Sequence, residues 1–166
     1  MIYAQNIGDS LFFFEQIPSK RLKNAIQSYA SPMKEDETAI LLYDDTVFNS
    51  GKDGFLLTSK RLYVKNFQGT KIFANLADIS SLDVKHGSMS SDITCFLNSE
   101  NSFNIKITNM MKKQNAAVFR VLNETIELLK GETSPSAANT SKDLRCRGCG
   151  ANYNGLNICE YCGTHI

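Results

Sequence analysis

Four of the five cysteines fall between Cys146 and Cys162, and this clustering limits what the end of the chain can become. They form two C-x-x-C-G knuckles, Cys146-Arg147-Gly148-Cys149-Gly150 and Cys159-Glu160-Tyr161-Cys162-Gly163, with nine residues between Cys149 and Cys159. Each pair of thiolates can grip one side of a tetrahedral metal, and the glycine behind it admits a tight turn. The spacing therefore predicts one metal ion on Cys146, Cys149, Cys159 and Cys162, with zinc as the expected occupant and iron as the alternative. Four thiolates close the coordination shell, so the expected role is structural, and His165 is left outside the set. The competing readings are ordinary thiols, or a redox pair next to a thioredoxin-like βαβ unit; two knuckles in 23 residues without such a unit favour the metal. A segment this short buries too little apolar surface to fold without a metal, with Tyr153, Leu156, Ile158 and Tyr161 as its small core.

Upstream, residues 132–143 are small, polar and aperiodic, the composition of a flexible linker. Before them, Lys112 to Lys130 carries Ala116, Phe119, Leu122, Ile126 and Leu129 at spacings of three and four, which predicts an amphipathic helix capped at Gly131. Between Thr38 and Ile107, seven β-favouring runs alternate with turn residues: Ala39–Tyr43, Gly54–Thr58, Arg61–Lys65, Lys71–Ala74, Ile79–Lys85, Ile93–Leu97 and Phe103–Ile107. A rolled sheet plugged by one helix satisfies both the helix's apolar stripe and the sheet edges. Ser19 to Ala30 predicts an earlier helix with Leu22, Ile26 and Tyr29 on one face and Lys20, Arg21 and Lys23 exposed. Leu11 to Phe14 is a dense apolar patch and a core candidate. The resulting class is α+β, mainly β. Residues 1–35 form an N-terminal helical extension, 36–131 the main domain, 132–143 the linker and 144–166 the metal-binding tail.

Seven strands closed by a C-terminal helix resemble the pleckstrin-homology-like (PH-like) superfold. The stretch Lys52-Asp53-Gly54-Phe55-Leu56-Leu57-Thr58-Ser59-Lys60-Arg61-Leu62-Tyr63 is similar to a hairpin of bacterial PH-like and GRAM-like domains, in which two strands join at a Thr-x-x-Arg turn. The tail is similar to the zinc ribbons that bacterial proteins append to other domains. The resemblance implies binding rather than catalysis, on a scaffold that serves phosphoinositides, peptides and proteins alike. Lipid-binding members carry several cations in the loop between the first two strands. Here that loop, Asp44 to Asp53, holds three acids and one lysine, which argues against anionic headgroups by like charge.

The remaining chemistry is sparse. Lys+Arg 18 against Asp+Glu 17 gives a formal net charge of +1, which excludes a polyelectrolyte binder, and no apolar run approaches a membrane span. Met1 to Gln5 has no cationic segment before a hydrophobic one, so the expected location is cytoplasmic. Lys60, Arg61 and Lys65, with Tyr63 and Phe67 interleaved, suggest a phosphate or nucleic-acid stripe, but strand alternation divides them between faces, and a solvated strand surface is the expected reading. In the tail, Lys142, Arg145 and Arg147 are balanced by Glu132, Asp143 and Glu160, so nucleic-acid binding through the ribbon is the weaker alternative. Catalysis lacks a nucleophile with a base beside it: His86 and His165 are the two histidines, and Cys95, mid-strand, is expected to be buried and inert. Asp44, Asn49 and Asp53 are expected to form turns. The sequence thus points to a non-enzymatic adaptor that meets a protein partner, with peripheral lipid binding or nucleic-acid binding as alternatives.

Overall fold

The computed structural model describes residues 10–87, 90–108 and 112–133. The chain divides into two compact units, residues 1–132 and 133–166. Cys146, Cys149, Cys159 and Cys162, together with nearly all of the expected linker, lie outside the described residues.

Among the described residues of the first unit, eight antiparallel strands form two sheets. The five-stranded sheet runs in sequence order through β1 (Leu11–Phe13), β2 (Ala39–Asp44), β3 (Gly54–Thr58), β4 (Arg61–Lys65) and β5 (Lys71–Asn75). The three-stranded sheet holds β6 (Ile79–His86), β7 (Ser91–Leu97) and β8 (Ser102–Ile107). Helix α1 (Ser19–Ser28) lies between β1 and β2 in sequence, and α2 (Lys112–Thr133) follows β8. The seven expected strands are β2 to β8, and the mainly β architecture with a C-terminal helix is present.

Period-2 alternation explains the layering. Leu41, Tyr43, Phe55, Leu57, Leu62 and Val64 point inward to a core shared with Ile93 and Ile105 of the second sheet and with Val118, Leu122 and Ile126 of α2. Their neighbours Leu42, Leu56 and Tyr63 point outward, where Ala25 and Tyr29 cover them, with Leu22 and Ile26 packed alongside. The five-stranded sheet is thus buried on both faces, and each large side chain sealed there contributes about 1.5–3 kcal/mol. One side-chain amide also ties β8 to the first sheet. Asn66, just after β4, donates to the Asn104 carbonyl at 2.8 Å and accepts the Lys106 N–H at 2.9 Å.

Four expectations change. The segment 1–35 is not merely an extension, because Leu11–Phe13 pairs antiparallel with β2 and supplies the sheet edge. Arg21 is not a free surface cation: it is half-buried, its guanidinium stacks 4.6 Å from the Phe12 ring and its Nη1 lies 3.6 Å from Asp44. Gly131 does not cap α2, which continues through it to Thr133, since glycine permits a left-handed cap without forcing one. The buried stripe of α2 uses Val118, Val121, Leu122 and Ile126, while Ala116 faces solvent.

Candidate functional site

The stretch from Asp44, the last residue of β2, to Asp53, just before β3, carries the three acids that the sequence places in one loop. All three are consumed by the protein itself. Asp44 is fully buried; it accepts the Thr46 N–H at 3.0 Å and the Thr46 hydroxyl at 2.5 Å on one oxygen, and the Gly51 N–H at 2.9 Å on the other. Asp45 takes the Tyr43 hydroxyl, the Thr108 N–H and the Thr108 hydroxyl, each at 2.8 Å, which fastens the loop's first residue to the end of β8. Asp53 pairs with Lys65 Nζ at 2.6 Å. Two glycines make the path sterically open: Gly51 at φ 72°, and Gly54 at φ 127°, where a Cβ would sit 2.0 Å from the Tyr43 carbonyl oxygen.

With the acids turned inward, the loop presents a different surface. Val47 is 80% exposed and Phe48 91% exposed, beside exposed Asn49 and Lys52. Because β2 and β4 run in the same direction, the β4–β5 connection emerges at the same end of the sheet, bringing exposed Phe67. Register places Asp44, Gly54, Lys65 and Lys71 in one row there. Lys71 and Lys106 are both exposed at this end. A solvent-facing aromatic beside a β-branched residue, on a loop whose backbone is hydrogen-bonded from inside, can bury apolar area against another surface at little ordering cost.

The basic stripe behaves differently from expectation. It does not form a solvated strand face, since α1 covers much of the outer face and the segment before β2 supplies Pro32, Asp36 and Glu37 as partners. Lys60 pairs with Asp36. Arg61 Nη1 lies 3.2 Å from Glu37 and donates to the Pro32 carbonyl at 3.1 Å, with its guanidinium over the Phe73 ring. Lys65 binds Asp53 and the Lys52 carbonyl. Arg61 and Lys65 are used in folding, while the Lys60–Asp36 pair stays exposed to solvent, which leaves a phosphate chain little to meet.

Glu37 is the polar centre that sequence reasoning missed. It is 6% exposed and accepts from Thr58 Oγ1 at 2.7 Å and from the Tyr63 hydroxyl at 3.1 Å, besides its pair with Arg61. Thr58 Oγ1 also accepts the Arg61 N–H at 3.0 Å, which gives the Thr-x-x-Arg turn its physical reason: both of its named residues hold one buried carboxylate. Burial raises the Tyr63 pKa, with Glu37 acting the same way against Arg61, so the phenol stays a donor. Cys95 is buried and its thiol is pushed up to about 12 by desolvation, so it is inert as expected. His86 Nδ1 lies 2.9 Å from Ser91 Oγ within a hairpin. Among the described residues, no three His, Cys, Asp or Glu side chains gather as a metal site, and no helix is long and apolar enough to cross a membrane.

No family model matches the chain, and no curated protein matches it. Among solved structures it is similar to a DUF1696 family protein with a pleckstrin-homology domain from Shewanella loihica PV-4. The two share 18% identity at a TM-score of 0.45, covering 65% of this chain and 95% of that one.

Proposed function

We propose that the chain is a non-enzymatic adaptor whose β-rich unit is a PH-like domain meeting a protein partner through the Val47–Phe48 loop tip. The observation that supports this reading is the near-complete exposure of Phe48 on a loop held by buried carboxylates. Interfaces take much of their affinity from a few such aromatic anchors seated in a partner's pocket. The tail adds a second module, a zinc ribbon on Cys146, Cys149, Cys159 and Cys162, supported by the knuckle spacing. Two modules in one chain gain through effective concentration what each small surface lacks alone. The function is cytoplasmic and needs no catalytic residue. The test is capture of partners from a native lysate by the full chain and by Phe48→Ser. A partner retained by the first and lost by the second supports the reading, and identical captures overturn it.

A second reading, docking on an anionic membrane surface, is favoured by the inward turn of Asp44 and Asp45. The like-charge objection rests on acids that do not face outward, whereas Lys52, Lys71 and Lys106 do. Flotation with phosphatidylglycerol vesicles against phosphatidylcholine vesicles separates the two readings.

A further inference from the structure

The β2–β3 loop is held from two directions. From the sheet side, Asp44 gathers Thr46 and Gly51 around one carboxylate. From the other side comes α1, which is remote in sequence. Asn24 Nδ2 donates to the Ser50 carbonyl at 2.7 Å, and Ser28 Oγ donates to the Lys52 carbonyl at 2.7 Å. Between these two carbonyls lies Gly51, packed so tightly on α1 that a Cβ there would be 2.7 Å from the Arg21 carbonyl oxygen.

These bonds are not needed to seat the helix. Ala25 and Tyr29, with Leu22 and Ile26, already cover the outer face of the sheet through apolar contact. Asn24 and Ser28 instead reach two backbone carbonyls on the limb that returns from Phe48 toward β3. Because they bind backbone, they constrain the limb whatever side chains the tip carries, and leave those side chains free.

We propose that α1 is a brace for the loop tip, with Asn24 and Ser28 as positioning residues that fix where Phe48 is presented. The inference deepens the reading of this tip as a docking surface and rests on it for its purpose, but its test needs no partner. A partner that meets a fixed tip does not have to order it on binding, so the brace raises affinity without touching the partner.

The chain contains no tryptophan, so Phe48→Trp places a single indole at the tip. Two quantities are read in the full chain, with and without Asn24→Ala plus Ser28→Ala: the indole's fluorescence anisotropy and amide hydrogen exchange at Ser50 and Gly51. Loss of the brace lowers the anisotropy and speeds exchange at these two amides by about tenfold, while Leu56 and Val64 keep their protection. Ser28→Thr, which keeps the hydroxyl, leaves both quantities near the parent. Unchanged anisotropy and loop exchange in the double variant overturn the brace, as does a uniform rise that includes Leu56 and Val64. Ser28→Ala alone gives the same contrast at smaller amplitude if the double variant folds poorly. Binding lost or kept by Phe48→Ser judges the docking surface separately, so the two failures are distinct.

Discussion

Asp44→Ala tests whether the acids of the β2–β3 loop are structural. The Asp44 carboxylate is fully buried and accepts two backbone N–H groups, from Thr46 at 3.0 Å and Gly51 at 2.9 Å, as well as the Thr46 hydroxyl. Truncation leaves both N–H donors without that acceptor, at about 1–2 kcal/mol each. The Arg21 side chain, 20% exposed and 3.6 Å away, stays partly hydrated and adds about 1 kcal/mol or less. The expected loss is therefore about 4 kcal/mol. At roughly 2.1 cal/mol/K per residue over roughly 120 folded residues, that lowers Tm by about 15 °C. Asp44→Asn, which keeps one acceptor oxygen, should lose about half as much. Calorimetry at neutral pH reads both. A fall of less than about 4 °C for Asp44→Ala, equivalent to about 1 kcal/mol, would refute the reasoning. The loop acids would then be the surface charges a linear count assumes, and the objection to anionic partners would return.

Other consequences are simpler to read. Gly54→Ala must move backbone, because its Cβ would lie 2.0 Å from the Tyr43 carbonyl oxygen at φ 127°, so a loss of about 3 kcal/mol or more in urea unfolding is expected. Alkali should destabilise the fold: the Cys95 thiol titrates near 12 when folded against 9.0 as its ordinary value, and burial also raises Tyr29. Stability is then fully present below about pH 9 and declines toward pH 12, as unfolded chains ionise first; a flat urea midpoint from pH 8 to 11 would contradict this. Native mass spectrometry of the full chain should find one zinc, removable by chelator and absent in Cys146→Ser and Cys159→Ser.

Strands β2 to β8 were legible because turn residues punctuate them and each is long enough to show its pattern. β1 was not, since three residues have no period and Leu11–Phe13 becomes a strand only by pairing with β2. That β3 is buried on both faces, with Phe55 and Leu57 in one core and Leu56 in the other, went unread, because nothing local says that α1 supplies the second cover. Glu37 gave no signal of its own, because Thr58, Arg61 and Tyr63 meet it across more than twenty positions of sequence. The loop acids were legible as residues and misread as a surface. A count of three acids and one lysine contains no direction, and direction reverses what a partner meets.

Were membrane docking the function, the exposed residues of this end would set its strength, which separates the two partner classes by number. Val47 and Phe48 buried in an apolar phase contribute together about 4 kcal/mol, a Kd near 1 mM on their own. Lys52, Lys71 and Lys106, all exposed, add about 1 kcal/mol each near an anionic leaflet, bringing Kd to about 10 µM. Membrane docking therefore predicts about hundredfold preference for phosphatidylglycerol over phosphatidylcholine, lost in high salt and reduced about fivefold by each lysine-to-glutamine change. A protein pocket closed over Phe48 predicts the opposite pattern. Phe48→Ser would abolish binding, while the three lysines, at the rim, would alter association rate and salt dependence more than affinity. Vesicle titrations that show no lipid preference, beside a partner lost with Phe48, would leave the protein interface as the reading that fits the loop.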